Sequence, residues 1–213
     1  MRLISFLLCL IPINFCLSQQ EFSENKTEKQ LYNFNAFKSG EKLEYRLNYG
    51  FFNASYASLT LKDEVLDGKK VLRATSIGRT TGLARLFFKV DDIYETFFPK
   101  EKVKPVKSIR DIYEGGYERE AETIYDYKNN KALFYDKLKN IKKEFDIHPD
   151  IQDIISTFYY LRKHFDISSL KPNDLIYVDI FFDKEIYPFK MMFLGIERIK
   201  TKFGIVECMK LRP

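Results

Sequence analysis

From residue 41 the chain alternates. In EKLEYRLNY, Leu43, Tyr45, Leu47 and Tyr49 fall on one side and Lys42, Glu44, Arg46 and Asn48 on the other. This is the period of a half-buried β-strand, whose successive side chains leave on opposite faces. ASYASLTLKDEV (54–65) repeats the pattern with Ala57, Leu59, Leu61 and Val65 on one face. Asp67-Gly68 then supplies a tight hairpin turn, so VLRATSI (71–77) returns antiparallel. VDDIYETFF (90–98), VKSIRDIYE (106–114), YEREAETIYDY (117–127) and ALFYD (132–136) continue it, with turns at PKEK, Gly115-Gly116 and KNNK. Tyr117, Ala121, Thr123, Tyr125 and Tyr127 share a side of their strand, opposite Glu118, Glu120 and Glu122. Short polar connections between alternating strands predict an antiparallel meander.

One segment changes period. DIQDIISTFYYLRKHF (150–165) sets Ile151, Ile154, Ile155, Phe158, Leu161 and Phe165 at three- and four-residue steps, the stripe of a helix with one buried face. Pro149 or Asp150 is the expected start, since aspartate accepts first-turn amide hydrogens and proline has none to leave unpaired. Beyond KPND (171–174), LIYVDIFF, YPFKMMFL, IERI and IVECMKL read as strands again. The fold expected is mainly β, a curved antiparallel meander sheet, half-barrel or open barrel, wrapped around one amphipathic helix.

TTGLARLFF (80–88) is too long for a tight turn between its flanking strands. Thr80 or Thr81 can cap a second, short helix with Leu83, Leu86 and Phe87 on one face. Two readings stand: these side chains close the core, where large apolar groups usually lie, or they form a flap over an apolar pocket, hinged at Gly78 and Gly82. On the second reading Leu83, Leu86, Phe87 and Phe88 are the candidate contacts to an apolar ligand, with Arg79, Arg85 and Lys89 keeping the rim soluble.

The start of the chain bears on location. Arg2, the apolar LISFLLCLIPINF (3–15) and the small Ser18 before Gln19 have the layout of a cleaved secretory signal. Pro12 and Asn14 interrupt the run before the roughly 20 apolar residues a spanning helix needs, and Phe15 is too large for acylation at Cys16. Residues 19–36 form a polar leader, expected to be disordered, and 37–213 a single β-rich domain. Of three cysteines, Cys9 and Cys16 leave with the signal, so Cys208 has no disulfide partner and stability must come from a core. A net charge of +5 spread over 35 basic and 30 acidic residues is too weak and interspersed for nucleic acid.

Motifs for chemistry are missing from the sequence. There is no Gly-rich phosphate loop and no nucleophile elbow. His148 and His164 are too far apart for a metal-site motif, and each reads as a solvated or capping residue. Asp91 and Asp92 lie on opposite faces of one strand and cannot share a substrate. Glu118, Glu120 and Glu122 read as ordinary surface polarity, Asp183 and Glu185 as a hairpin turn, and Cys208 as a buried, inert thiol. No cofactor, metal or catalytic residue is assigned.

FKSGEKLEYRLNYGFFNAS (37–55), GRTTGLARLFFKVDDIYETFF (78–98), DIISTFYYLR (153–162) and GIERIKTKFGIVECMKLRP (195–213), in that order, resemble the bacterial family called domain of unknown function 3108. The resemblance implies an exported protein of the Gram-negative periplasm or outer envelope, in a family that typically runs further at its C-terminus. The strand-like end IVECMKLRP is accordingly expected to belong to a truncated chain. At the level of architecture alone, the chain is also similar to the half-barrels of the lipoprotein carriers LolA and LolB. The function expected is a non-catalytic binding or carrier module for an apolar ligand such as a lipid. The alternative is a structural or assembly protein that docks an envelope partner.

The intact mass of the exported product tests the signal reading. The expected chain begins near Gln19; a mass retaining residues 1–18, or carrying acyl chains on Cys16, overturns it.

Overall fold

The computed structural model describes residues 11–12, 36–49, 52–165 and 169–213. The predicted signal and leader lie outside the described residues except for Ala36 and the two-residue strand β1 (Ile11–Pro12).

The meander is present. Strands β2 (Lys42–Tyr49), β3 (Phe52–Leu66), β4 (Lys69–Thr80), β5 (Val90–Phe98), β6 (Lys107–Glu114), β7 (Tyr117–Asp126), β8 (Lys131–Asp136) and β9 (Ile141–Asp146) form one antiparallel sheet in sequence order. β2 and β9 are its two edges, so the sheet is not closed into a barrel. A short helix α1 (Gly82–Phe87) separates β4 from β5, and a longer one, α2 (Ile154–His164), follows β9. The last three strands, β10 (Leu175–Phe182), β11 (Glu185–Thr201) and β12 (Gly204–Arg212), do not extend that sheet. They form a second one, ordered β1-β12-β11-β10, with a bulge at Gly195.

The chain divides into two compact units, Phe37–Tyr160 with Val178–Pro188, and Met1–Ala36 with Leu161–Tyr177 and Phe189–Pro213. The larger one holds the eight-stranded sheet and two apolar clusters. In the first, Leu59, Leu61, Leu72, Ala74, Phe98 and Val103 surround Tyr159, with Phe37, Ile155 and Phe158 packed around them. Tyr159 meets Phe37, Phe98 and Phe158 at ring separations of 5.0, 5.5 and 5.4 Å. The second joins Tyr125, Ala132, Ile147, Ile151 and Phe181. The helix thus covers one part of the sheet, and the segment 147–151 with the end of β10 covers another.

Three expectations need correction. Helix α2 begins at Ile154, because Asp153, not Asp150 or Pro149, caps it. Asp153 Oδ1 accepts the Ser156 N–H at 2.7 Å and Ser156 Oγ accepts the Asp153 N–H at 2.8 Å, a reciprocal cap with serine in the glutamate's usual place. Ile151 therefore belongs to the approach segment and to the second cluster. The helix's buried centre is Tyr159, fully enclosed, while Phe158 is half-buried. Finally, β9 occupies a stretch with no predicted strand. IKKEFD is exposed at all positions but Phe145, as an edge strand can be, because one of its sides needs no partner strand and its charges discourage pairing with another chain.

Truncating the enclosed ring in Tyr159→Ala should cost about 3–5 kcal/mol, the range for large core aromatics. Phe158→Ala should cost distinctly less. Urea unfolding of both variants checks the order; the reverse ranking would mean that the helix presents a different face.

Candidate functional site

Two features of the larger unit stand out: an exposed apolar helix at the rim of the sheet, and a polar patch inside it.

At the rim, α1 buries none of its residues. Leu83, Leu86, Phe87 and Phe88 are 54, 81, 87 and 51% exposed. The reading that they close the core is thereby overturned, and none of the four lines the cavity described below. The loop is tied down at its base. Thr80 Oγ1 donates to Phe88 O at 3.0 Å and accepts the Val90 N–H at 2.9 Å. Arg85 grips both carboxylate oxygens of Asp91 at 2.8 and 2.7 Å and reaches the Val90 carbonyl at 3.2 Å. Its guanidinium holds the Asp91 carboxyl below the usual carboxylate range, and the carboxylate in turn raises the arginine. Thr81 is the N-cap residue, but its hydroxyl donates to Asn53 O at 3.4 Å and leaves the helix amides alone. Gly82 sits at φ +52°, whereas Gly78 is no hinge, being an ordinary strand residue paired with Ala57 and Asp92. The Phe88 ring lies so close over Gly115 that a Cβ there would come within 2.2 Å of it.

Inside, strand register builds the second feature. Cross-strand partners share a face, so Tyr94, Arg110, Ala121 and Asp136 form one row of the inner face. Thr96, Ser108, Thr123 and Phe134 form the next, and Asp92, Ile112 and Arg119 flank the first. Where β3 and β4 put Leu59, Leu61, Leu72 and Ala74 inward, the middle strands put hydroxyls, carboxylates and two arginines. Asp153 reaches this patch from the start of α2 and accepts the Thr96 hydroxyl at 2.5 Å. The tip of the β10–β11 hairpin reaches it too: Asp183 pairs with Arg119, and Arg110 stacks on Phe182 at 4.1 Å. Between them lies a cavity of about 30 Å³ bounded by Tyr94, Ser108, Arg110, Thr123, Asp153 and Asp183, with Phe134, Ile155 and Phe181 as apolar walls.

The patch is electrostatically tense. Burial raises Asp92 to about 7, helped by the charge of neighbouring Glu114 and a hydrogen bond to it, against the Tyr113 amide that Asp92 accepts at 3.2 Å. Burial likewise raises Asp153 to about 6, outweighing its hydrogen bonds from Ser156 and Thr96. Tyr94 is pushed up to about 12 by burial despite the Arg110 charge.

The other sequence candidates are dispersed. Glu120 and Glu122 pair on the outer face with Lys137 and Lys107 at 2.8 and 3.0 Å. His148 Nε2 lies 2.9 Å from Asp179, and His164 is the last residue of α2. Cys208 is a buried free thiol, raised by burial. Among the described residues no group of three His, Cys, Asp or Glu side chains is placed to hold a metal, and no helix is long and apolar enough to cross a membrane. Sequence reasoning missed Arg110 and Arg119. The available signal was phase: Arg119 falls in step with Ala121, Thr123 and Tyr125, a charge on the face that should be buried.

The raised carboxyls have a consequence for pH. A carboxyl whose folded pKa lies above its unfolded one stabilises the fold below the unfolded pKa, near 4, and loses that contribution as pH rises through the folded value. Wild-type stability should therefore fall between about pH 4 and 7 more steeply than that of Asp92→Asn, which mimics the protonated form. Urea unfolding across that range checks it; parallel curves would remove the buried-carboxyl account.

The chain matches the family model described as protein of unknown function (DUF3108) over residues 44–213. No curated protein matches it. Among solved structures, a DUF1089 family protein from Pseudomonas aeruginosa is similar, at 12% identity over 79% of this chain and 91% of that one, with a TM-score of 0.41. A likeness that distant carries no argument, and neither match is to a lipoprotein carrier of the LolA and LolB kind. The family match takes in both helices and nearly all of both sheets, and on it the chain belongs to the DUF3108 family.

Proposed function

We propose that the protein is a non-catalytic binding module of the cell envelope, exported to the periplasm or outer envelope, that engages a lipid surface through the rim helix α1. The observation that carries this reading is the exposure of Leu86 and Phe87, at 81 and 87%, on a helix that buries nothing of its own. Contiguous exposed apolar side chains mark interaction surfaces. A short apolar projection with a basic surround suits the headgroup boundary of an anionic bilayer, where buried apolar area and attraction to anionic lipid add. Arg85 and Lys89 share Asp91, and Arg79 is exposed with no ion-pair partner among the described residues, so the surround is positive. This differs from an enclosed carrier. Ligand pockets for drug-sized molecules run to roughly 300–1,000 Å³, and the 30 Å³ cavity is far below that.

Vesicle co-sedimentation tests it. The protein should pellet with phosphatidylcholine vesicles containing phosphatidylglycerol, less so at high salt. Leu86→Ser with Phe87→Ser should weaken binding at least about tenfold, because burying one such side chain is worth about 1.5–3 kcal/mol and about 1.4 kcal/mol is a factor of ten. The melting temperature should stay nearly unchanged, since both side chains are already in water. Binding by the double variant equal to wild type, or no vesicle binding at all, sinks the lipid reading; capture of a protein partner through α1 in its place would favour docking.

A further inference from the structure

The polar patch has a feature that folding alone does not explain. Arg110 Nε and Nη1 are sealed from solvent and donate to nothing among the described residues. Nη1 lies 3.7 Å from Asp183 Oδ1, an ion-pair distance too long for a hydrogen bond. Sealed donors left idle are costly, and such groups are rare in folded proteins. Its face is occupied, stacked on Phe182 at 4.1 Å, and the Tyr94 hydroxyl shares its edge, which leaves Nε and Nη1 as the idle donors. Arg119, 8% exposed, points its own guanidinium at the same Asp183. Two cations thus converge on one carboxylate, and donors remain to spare. Planar N–H donors of this kind match carboxylate and phosphate oxygens.

The carboxylate they share sits on a turn. Asp183 and Lys184 form the tip of the β10–β11 hairpin, both at positive φ, +47° and +78°. Aspartate suits the first position of such a turn, but Lys184 is not the glycine preferred at the second, so the contacts of the Asp183 side chain help to hold the tip in place. That side chain is 41% exposed, although its partner Arg119 is buried. Asp183 thus reaches the arginines from the two-residue turn between β10 and β11, with its carboxylate partly open to solvent.

We propose that Arg110 and Arg119 form a binding site for an oxyanion, a carboxylate or phosphate group, and that Asp183 occupies it in the unliganded protein as a tethered substitute. The cavity beside Arg110 holds about two waters at 30 Å³, so an incoming anion takes its place by displacing Asp183. Ser108 and Thr123, which also bound the cavity, offer hydroxyls to the remaining anion oxygens. Phe134, Phe181 and Phe182 give apolar walls to any chain attached to the anionic group. The oxyanion can therefore be free or be the head of an amphiphile. This site is independent of the lipid contact at α1 and can stand or fall alone.

Isothermal titration of the full chain with sodium phosphate, acetate and octanoate, at constant ionic strength, tests the proposal. Wild type should bind at least one of these saturably. Asp183→Asn should bind it at least about tenfold tighter, the competing charge being gone, and Arg110→Gln should not bind it. Arg110→Gln should melt no lower than wild type, since it removes an unsatisfied cation, and if it fails to fold, the Asp183→Asn result decides. Octanoate binding tighter than acetate identifies the head of an amphiphile, whereas phosphate binding best identifies a free anion. No saturable binding by Asp183→Asn, or binding no tighter than wild type, overturns the proposal.

Discussion

Asp153 is where the larger unit is joined. Its carboxylate accepts the Ser156 N–H in the first turn of α2 and, 2.5 Å away on the other oxygen, the hydroxyl of Thr96 in the middle of the sheet. One residue earlier, Gln152 pairs with Ile180 in an isolated parallel bridge and donates from its side chain to the Val103 carbonyl at 3.1 Å. Two consecutive residues therefore fix the helix, the β10 segment and the sheet to one another. The aromatic packing around Tyr159 and the polar patch beneath Phe182 both rest on that placement. Helix entry is a point where the backbone leaves donors unpaired, and here those donors serve to locate the helix as well as to start it.

The division of the inner face follows from the same geometry. Strands β3 and β4 meet the apolar side of α2 and carry leucine and alanine inward. Strands β5 to β7 meet the helix start and the hairpin tip, both rich in polar groups, and carry threonine, serine, tyrosine and arginine. A sheet can be half oily and half polar on one face when two different kinds of element cover it. The cost is carried by carboxyls that resist ionisation and by a guanidinium without enough acceptors, the kind of local disagreement that marks working regions of proteins.

The fold was largely legible because alternation is a backbone consequence: a strand half in water must alternate. It was illegible where that constraint lapses. IKKEFD needs no apolar face at a sheet edge, and so left no pattern to read. The helix stripe misled because Ile151 continues the three-four spacing by coincidence, while Asp150 and Asp153 are chemically equal candidates for the cap; only Ser156, three residues beyond Asp153, told them apart. At the rim, burial was the natural expectation for Leu86 and Phe87, yet β4 and β5 pair right up to their connection and leave α1 no core to enter. Of the polar patch only the phase of Arg119 was legible, since Arg110, Arg119 and Asp183 are distant in sequence and meet through strand register and a hairpin tip.

The seat of Phe88 on Gly115 has a consequence of its own. With the ring resting on bare backbone and Thr80 and Arg85 closing the base, α1 is held in one shape before it meets anything. Loops that order themselves only on contact give up conformational entropy at that moment, and their apparent affinity suffers for it. Here that loss was taken when the sheet folded. For the contact proposed at α1, the surface is already formed before encounter, with no refolding step between encounter and release.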